Sequence, residues 1–213
     1  MSQGLSDGRR RRPAQGAPAR KSATRTRAVA SPDRRERGAA RQALLDAARA
    51  EFDEAGYEGT DTNRIARRAG YAPQTFYRHF PDKTAIFIET YNGWLEREWK
   101  DLESAHGKGA QEAARILVDH HTRHREFRRS LRRLTVGDAA VRAARASSRR
   151  RQLDLVDAED RKRGLERDVM VRIALLLCTE RIADAAADGE LADLGLSREE
   201  QVSLLADVLR RLR

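Results

Sequence analysis

The sequence predicts an all-α protein of about nine helices, with an N-terminal three-helix unit built on a helix-turn-helix and a larger helical domain behind it. Three observations carry this reading. Apolar residues recur at three- and four-residue steps along most of the chain, and no stretch of useful length alternates with the period of a strand. Gly and Pro interrupt the pattern at intervals that suit helices. Two of the resulting segments, before and after Gly70-Tyr71-Ala72, are short and joined by a tight turn. No internal repeat is present.

The elements follow in order. Leu44, Ala47, Ala48 and Phe52 mark one face of a first helix, which Gly56 ends. Asp61 is placed to cap a second helix, with Ile65, Ala66 and Ala69 facing inward and Gly70 at the position that takes a left-handed conformation. A third opens at Pro73, tolerated in a first turn, and runs through Phe76 and Phe80 until Pro81 breaks it. Asp82 caps a fourth helix extending to about Ala105. After Gly107 and Gly109 come a fifth helix over 110–125 and a sixth over 126–135. Beyond Gly137 a charged seventh helix occupies 138–162 and stops near Gly164. An eighth covers 165–188 and holds the most apolar run in the chain, 169–178. Gly189 and Gly195 bracket a loop, and Ser197 with Glu200 forms a capping-box pattern for the ninth helix.

Charge is unevenly spread. Residues 1–37 contain eleven Arg or Lys and three acids, so most of the chain's net +10 lies there. Gly, Pro, Ser, Ala and Arg dominate this stretch, which cannot offset its ordering entropy by burial, and it reads as a disordered basic tail that attracts polyanions. The domain plan is therefore tail 1–37, DNA-binding head 38–83, and effector-binding and dimerisation domain 84–213. Cys178 is the only cysteine, which excludes an intramolecular disulfide and suits a reducing cytoplasm. No run of 18 apolar residues exists, and the charged N-terminus lacks the apolar stretch of a secretory signal.

The segment 56–87 carries the function. Small inward residues Ala66 and Ala69 let the second and third helices cross closely, and the second helix of such a pair enters the major groove. The exposed side of that helix offers Gln74, Thr75, Tyr77, Arg78 and His79. Gln reads adenine and Arg guanine through paired hydrogen bonds. Lys83 follows at the start of the next helix, where its charge and backbone N–H groups suit a phosphate.

Gly56-Tyr57, Thr60, Ile65-Ala66, Ala69-Gly70, Phe76-Tyr77, Phe80 and Lys83 agree in order and spacing with the N-terminal domain of TetR-family regulators, which the sequence resembles over about residues 40–87. It departs at Phe76, where that family more often has Leu, and at Thr62, where Val is commoner. The resemblance implies that Tyr77 and Lys83 contact phosphates, with His79 alongside them. It makes Tyr71, Ala72, Gln74, Thr75 and Arg78 candidates for base readout, and Thr62 joins this DNA-facing set. It also implies a homodimer on a palindromic double-stranded operator, usually a repressor, released by a small-molecule effector bound in an internal cavity. No cofactor is expected.

Candidate pocket residues are Phe87, Tyr91 and Trp94 on the fourth helix, with Trp99 beyond them, and His120 and His124, which share a face of the fifth. That His pair also has the spacing of a metal site, but polar pocket contacts are the better reading. The last two helices would pack against a second subunit through Leu175, Leu176, Ile182, Leu205, Val208, Leu209 and Leu212. Gly93, inside the fourth helix, reads equally as a flex point or as room for a close neighbour. The Arg-rich stretch 123–133 and Arg142, Arg145 and Arg149–Arg151 fit a salt-bridged helix face better than an anion site. No nucleophile triad, phosphate-cradling Gly loop, HExxH or paired-Cys motif argues for an enzyme. The competing reading is an architectural DNA-binding protein without operator or effector.

Overall fold

The computed structural model describes residues 32–211 apart from 106 and 163. The described elements are all α-helices: α1 (Pro32–Ala55), α2 (Thr62–Arg68), α3 (Pro73–Tyr77), α4 (Lys83–Ser104), α5 (Ala110–Arg123), α6 (Arg125–Gly137), α7 (Ala139–Lys162), α8 (Val169–Asp188), α9 (Glu190–Asp193) and α10 (Arg198–Arg211). The fold is all-α as expected, with one helix more than the sequence pattern indicated. Most of the expected disordered tail, residues 1–31, lies outside the described residues; from Pro32 onward the chain is already helical. Its first turns are charged and carry no apolar stripe, so periodicity detects the helix only from Ala40 and Leu44.

Local chemistry sets most helix ends. Asp61 accepts a hydrogen bond from the Arg64 amide at 2.8 Å, and Asp82 from the Ala85 amide at 2.7 Å. Gly70 takes φ +78° between α2 and α3, a conformation that costs other residues free energy. Ser197 and Glu200 satisfy each other reciprocally at the start of α10, the Ser197 amide donating to Glu200 Oε2 at 2.8 Å. The eighth helix begins four residues later than expected. The Leu165 amide bonds back to the Asp160 carbonyl at 2.9 Å, and Asp168 then caps a new start by accepting from the Met170 amide. The expected loop between Gly189 and Gly195 contains the additional helical turn, α9, which buries Leu191.

Helices α1–α3 form the head, and its core does not stop at the head's edge. Leu44, Phe52, Ile65, Phe76 and Phe80 belong to one buried cluster with Ile86, Phe87, Tyr91 and Trp94 of α4 and Phe127 and Leu131 of α6. Phe87 is the hinge of this continuity: its ring lies 5.1 Å from Phe52, edge-on, and 4.6 Å from Phe127, stacked. Gly56 assists, because a Cβ there would meet Ser130 Oγ at 3.0 Å, and that hydroxyl accepts from the Tyr57 amide at 2.9 Å. A second, smaller cluster joins α5, α8 and α10 through Ala114, Val118, Ala183, Val202, Leu205 and Ala206. Gly93 has open surroundings: a Cβ would meet only the Arg97 guanidinium, at 3.7 Å, which removes the close-neighbour reading.

Candidate functional site

The polar edge of the helix-turn-helix faces solvent. Ala72, Gln74, Tyr77 and Arg78 are exposed, Tyr71, Thr75 and His79 are half-buried, and Phe76 and Phe80 turn inward to anchor α3. The Tyr77 hydroxyl lies 3.0 Å from Thr62 Oγ1, which ties the end of α3 to the start of α2. Beneath this edge Glu51 is buried and receives Arg64 at 2.9 Å and Arg68 at 3.3 Å, while Arg68 also forks onto Glu54. Those two arginines hold α2 against α1. The first turns of α1, Glu36 to Arg41, line a groove with Tyr71, Thr75, Arg78 and His79, so the start of α1 extends the same face.

Lys83 has an arrangement the sequence did not signal. Its ammonium donates to the Tyr57 and Thr60 carbonyls, both at 2.8 Å, and sits 3.9 Å above the Tyr57 ring centre. Burial pulls its pKa below the usual lysine value. Two of its three N–H donors are thus committed to the loop that precedes α2.

A cavity of about 320 Å³ opens among α4, α5, α7, α8 and α10. Of the expected pocket residues, Trp94 and Trp99 line it. Phe87 and Tyr91 belong to the continuous core. His120 and His124 pack on the Trp94 ring at 4.6 and 6.0 Å, and it is His121 that reaches the cavity wall. Glu98, Arg128 and Gln152 also line it. Leu175, Leu176 and Leu209, expected at a subunit interface, line this cavity. Leu205 is fully buried in the second core cluster, and Ile182 and Val208 are half-buried; Leu212 lies outside the described residues. The reason is helical phase. Positions 175, 176, 179 and 180 of α8 point to the cavity, whereas Met170, Val171, Ala174, Leu177 and Cys178 point to solvent.

Around the cavity runs a buried network of charge. His121 Nδ1 lies 2.9 Å from Asp184, which also receives a two-pronged contact from Arg128 at 2.9 and 3.1 Å. Burial works against the Asp184 charge, but His121 and Arg128 outweigh it and hold the carboxyl far below its usual range. Glu98 lies 3.2 Å from His120 Nδ1 and 3.5 Å from His121 Nε2. Burial pushes its carboxyl up, yet those two rings bring it down to about 2. His124 reaches from the end of α5 to Asp53 of α1 at 2.8 Å. Four arginines of α6 and α7 are spent internally: Arg129 and Arg132 on Asp188, Arg145 and Arg149 on Glu180. Among the described residues, no group of three or more His, Cys, Asp or Glu is placed to hold a metal ion, and no helix is long and apolar enough to cross a membrane.

Comparison with known proteins places the architecture. Residues 44–90 match the family model of bacterial regulatory proteins, tetR family. No curated protein matches the chain. A solved structure from Rhodococcus sp., assigned as a TetR-family transcriptional regulator, superposes with a TM-score of 0.67 at 19% identity, over 82% of this chain and 98% of that one. One from Mesorhizobium loti, assigned likewise, gives 0.63 at 21% identity over 83% and 96%. A transcriptional regulator from Saccharomonospora viridis in complex with choline gives 0.60 at 18% identity over 81% and 96%.

Proposed function

We propose that this chain, which has the tetR-family DNA-binding domain at 44–90 and the fold of that family's regulators, is a homodimeric cytoplasmic repressor released from a palindromic operator by a small organic molecule. The observation that carries the reading is the pairing of two features in one chain: a solvent-facing recognition edge at one end and a half-open, largely apolar cavity at the other. Gln74, Thr75, Arg78, Tyr71 and Ala72 read bases, with Thr62 beside them; Tyr77 and His79 hold phosphates. Lys83 contributes chiefly by fixing the loop that presents α2, with one N–H left for a phosphate.

A single head reads half of a palindrome, so the reading requires a second copy. The exposed apolar stripe of α8, together with Leu204 of α10 and the half-buried Ile182 and Val208, supplies a surface for it. Effector binding then favours a head spacing that no longer matches successive major grooves; such coupling amounts to about 1–3 kcal/mol. The choline held by the Saccharomonospora protein supports the idea that a cavity in this fold accepts a small molecule. The basic residues of 1–31 add phosphate contacts without sequence preference.

The test is fluorescence anisotropy of the purified protein on its own upstream intergenic DNA with excess random DNA. Binding that survives competition, at two subunits or a multiple of two per site, is the expected result. Binding that collapses to the random-DNA level, on this and on every operator found by selection from a random library, would leave an architectural DNA-binding protein instead.

A further inference from the structure

The polar groups that line the cavity are unequally satisfied. Every guanidinium there already faces a carboxylate: Arg128 meets Asp184, Arg167 meets Asp160 at 3.5 Å, and Arg172 meets Asp157 at 2.6 Å and Asp160 at 3.1 Å. Asp160 is answered by the last two of these, and Glu180 by Arg145 and Arg149. Glu98 differs. It is 8% exposed, no guanidinium or ammonium reaches it, and its neighbours are two imidazoles, which can give up a proton. Its Oε2 lies within reach of His120 but without hydrogen-bond alignment, and Gln152 Oε1, on the facing helix α7, is also buried with no partner. Two cavity-lining acceptors, Glu98 Oε2 and Gln152 Oε1, therefore lack an aligned hydrogen bond, as does one donor on the same wall, Trp94 Nε1, and among the described residues the cavity has no cation to spare. An unpaired buried acceptor is costly, and a ligand carrying a donor recovers that cost.

The walls add a second preference. Trp94 and Glu98 are one turn apart on α4 and so share a face, with Trp99 next to Glu98. Indole faces attract cations; the Trp94 ring already has one, the Arg128 guanidinium 5.0 Å from its centre, so Trp99 is the wall that can receive another. The remaining lining is aliphatic, including Leu117, Leu175, Leu176 and Leu209. At about 30 Å³ per water molecule, 320 Å³ equals about ten waters, space for a ligand of roughly ten non-hydrogen atoms.

We propose that the cavity selects a small organic ammonium ion with an apolar tail, its N–H groups directed to Glu98 and Gln152 and its charge set against Trp99. This deepens the effector reading above and rests on it for biological meaning, though not for its test. Burial alone would neutralise a carboxyl in such a place; the two imidazoles beside Glu98 keep that carboxyl ionised at neutral pH. An anionic ligand could take the Trp94 N–H, but it would leave both acceptors unanswered and meet the Glu98 charge besides.

The chain's only two tryptophans are Trp94 and Trp99, both on the cavity wall, so fluorescence excited selectively at tryptophan, where the four tyrosines do not absorb, reports on this region. The experiment titrates DNA-free protein at neutral pH with octylammonium, octanoate and octanol. The expected order is octylammonium at least tenfold tighter than octanoate, with octanol between them. Glu98→Gln should bring octylammonium to within about twofold of octanol, Glu98→Asp should keep its preference, and Gln152→Leu should weaken octylammonium while sparing octanol. Thermal melting followed by circular dichroism verifies folding of each variant, and Gln152→Leu stands as the independent arm should Glu98→Gln not fold. Octanoate binding as tightly as octylammonium, an undiminished preference in folded Glu98→Gln, or no response to any of the three probes would overturn the proposal. Because no DNA is present, such a failure leaves the operator assay untouched, and a failed operator assay leaves this preference measurable.

Discussion

Substituting Lys83 by Met separates two roles that a single lysine can play at the edge of a DNA-binding head. The substitution keeps the aliphatic stem and removes the ammonium. What is lost can be counted: two hydrogen bonds of 2.8 Å to the Tyr57 and Thr60 carbonyls and a cation–π contact at 3.9 Å. Hydrogen bonds to a charged donor contribute about 1.5–3 kcal/mol each, and a half-exposed cation–π contact about 0.5–1 kcal/mol. Against this stands relief of the desolvation that depresses the Lys83 pKa, and partial rehydration of the two carbonyls. The net expectation is a loss of about 2–3 kcal/mol, read from urea unfolding by circular dichroism. In DNA binding, a lysine that holds a phosphate leaves a signature, since removing it lowers the salt slope by about one. A lysine that holds the loop weakens binding with the slope unchanged. A stability change below about 0.5 kcal/mol together with a slope reduced by one would refute the clamp.

Arg78→Ala, at an exposed position of the recognition edge, should weaken operator binding by about 1–3 kcal/mol and relax preference at one base pair, with the melting temperature unchanged; a variant that binds all sequences more weakly by one common factor would mark Arg78 as a phosphate contact. Gly93→Ala should stabilise the protein by about 0.5–1 kcal/mol, since the new methyl meets nothing closer than a guanidinium at 3.7 Å; destabilisation in urea would mean that α4 needs the flexibility. The Glu98 carboxyl titrates near 2 in the fold and near its ordinary value of about 4.3 in the unfolded chain, so its contribution is present above the higher value and is lost as pH falls through the lower. Wild-type stability should therefore fall more steeply than that of Glu98→Gln between about pH 4.5 and 2, by up to about 1.4 kcal/mol per pH unit; parallel curves would remove Glu98 from the acid response.

What was legible in the sequence was written in residues whose effect is local. Asp61, Gly70, Pro73, Asp82 and the Ser197–Glu200 pair each act within a few residues of themselves, and each acts in the structure as its chemistry requires. The Phe76 and Phe80 anchors were equally plain from their four-residue spacing. The cavity was harder. Along 169–178 α8 is apolar on more than one face, with Arg172 the one charge, so the pattern fixes no phase and could not say that Leu175 and Leu176 face inward while Leu177 faces out. Spacing put His120 and His124 together but could not reveal that α5 is enclosed widely enough to bury His121 as well. Glu98 gave no signal, since its meaning depends on imidazoles that lie more than twenty positions away in the chain. The Lys83 clamp depends likewise on where the Tyr57 and Thr60 carbonyls turn, which no side-chain pattern encodes.

The Phe52–Phe87–Phe127 contacts bear on how such a protein can be taken apart and recombined. A cut after residue 83 leaves Phe52 and Tyr57 in one piece and Phe87 and Phe127 in the other, with Asp53 parted from His124 and the Tyr57 amide from Ser130. The excised head would present that aromatic face to water and aggregate. Transplanting a foreign head onto 84–213 should work only when the donor's counterpart of Phe52 is grafted to fit Phe87 and Phe127. New DNA specificity is more safely introduced by exchanging the few exposed side chains between Tyr71 and His79, which leaves the seam whole.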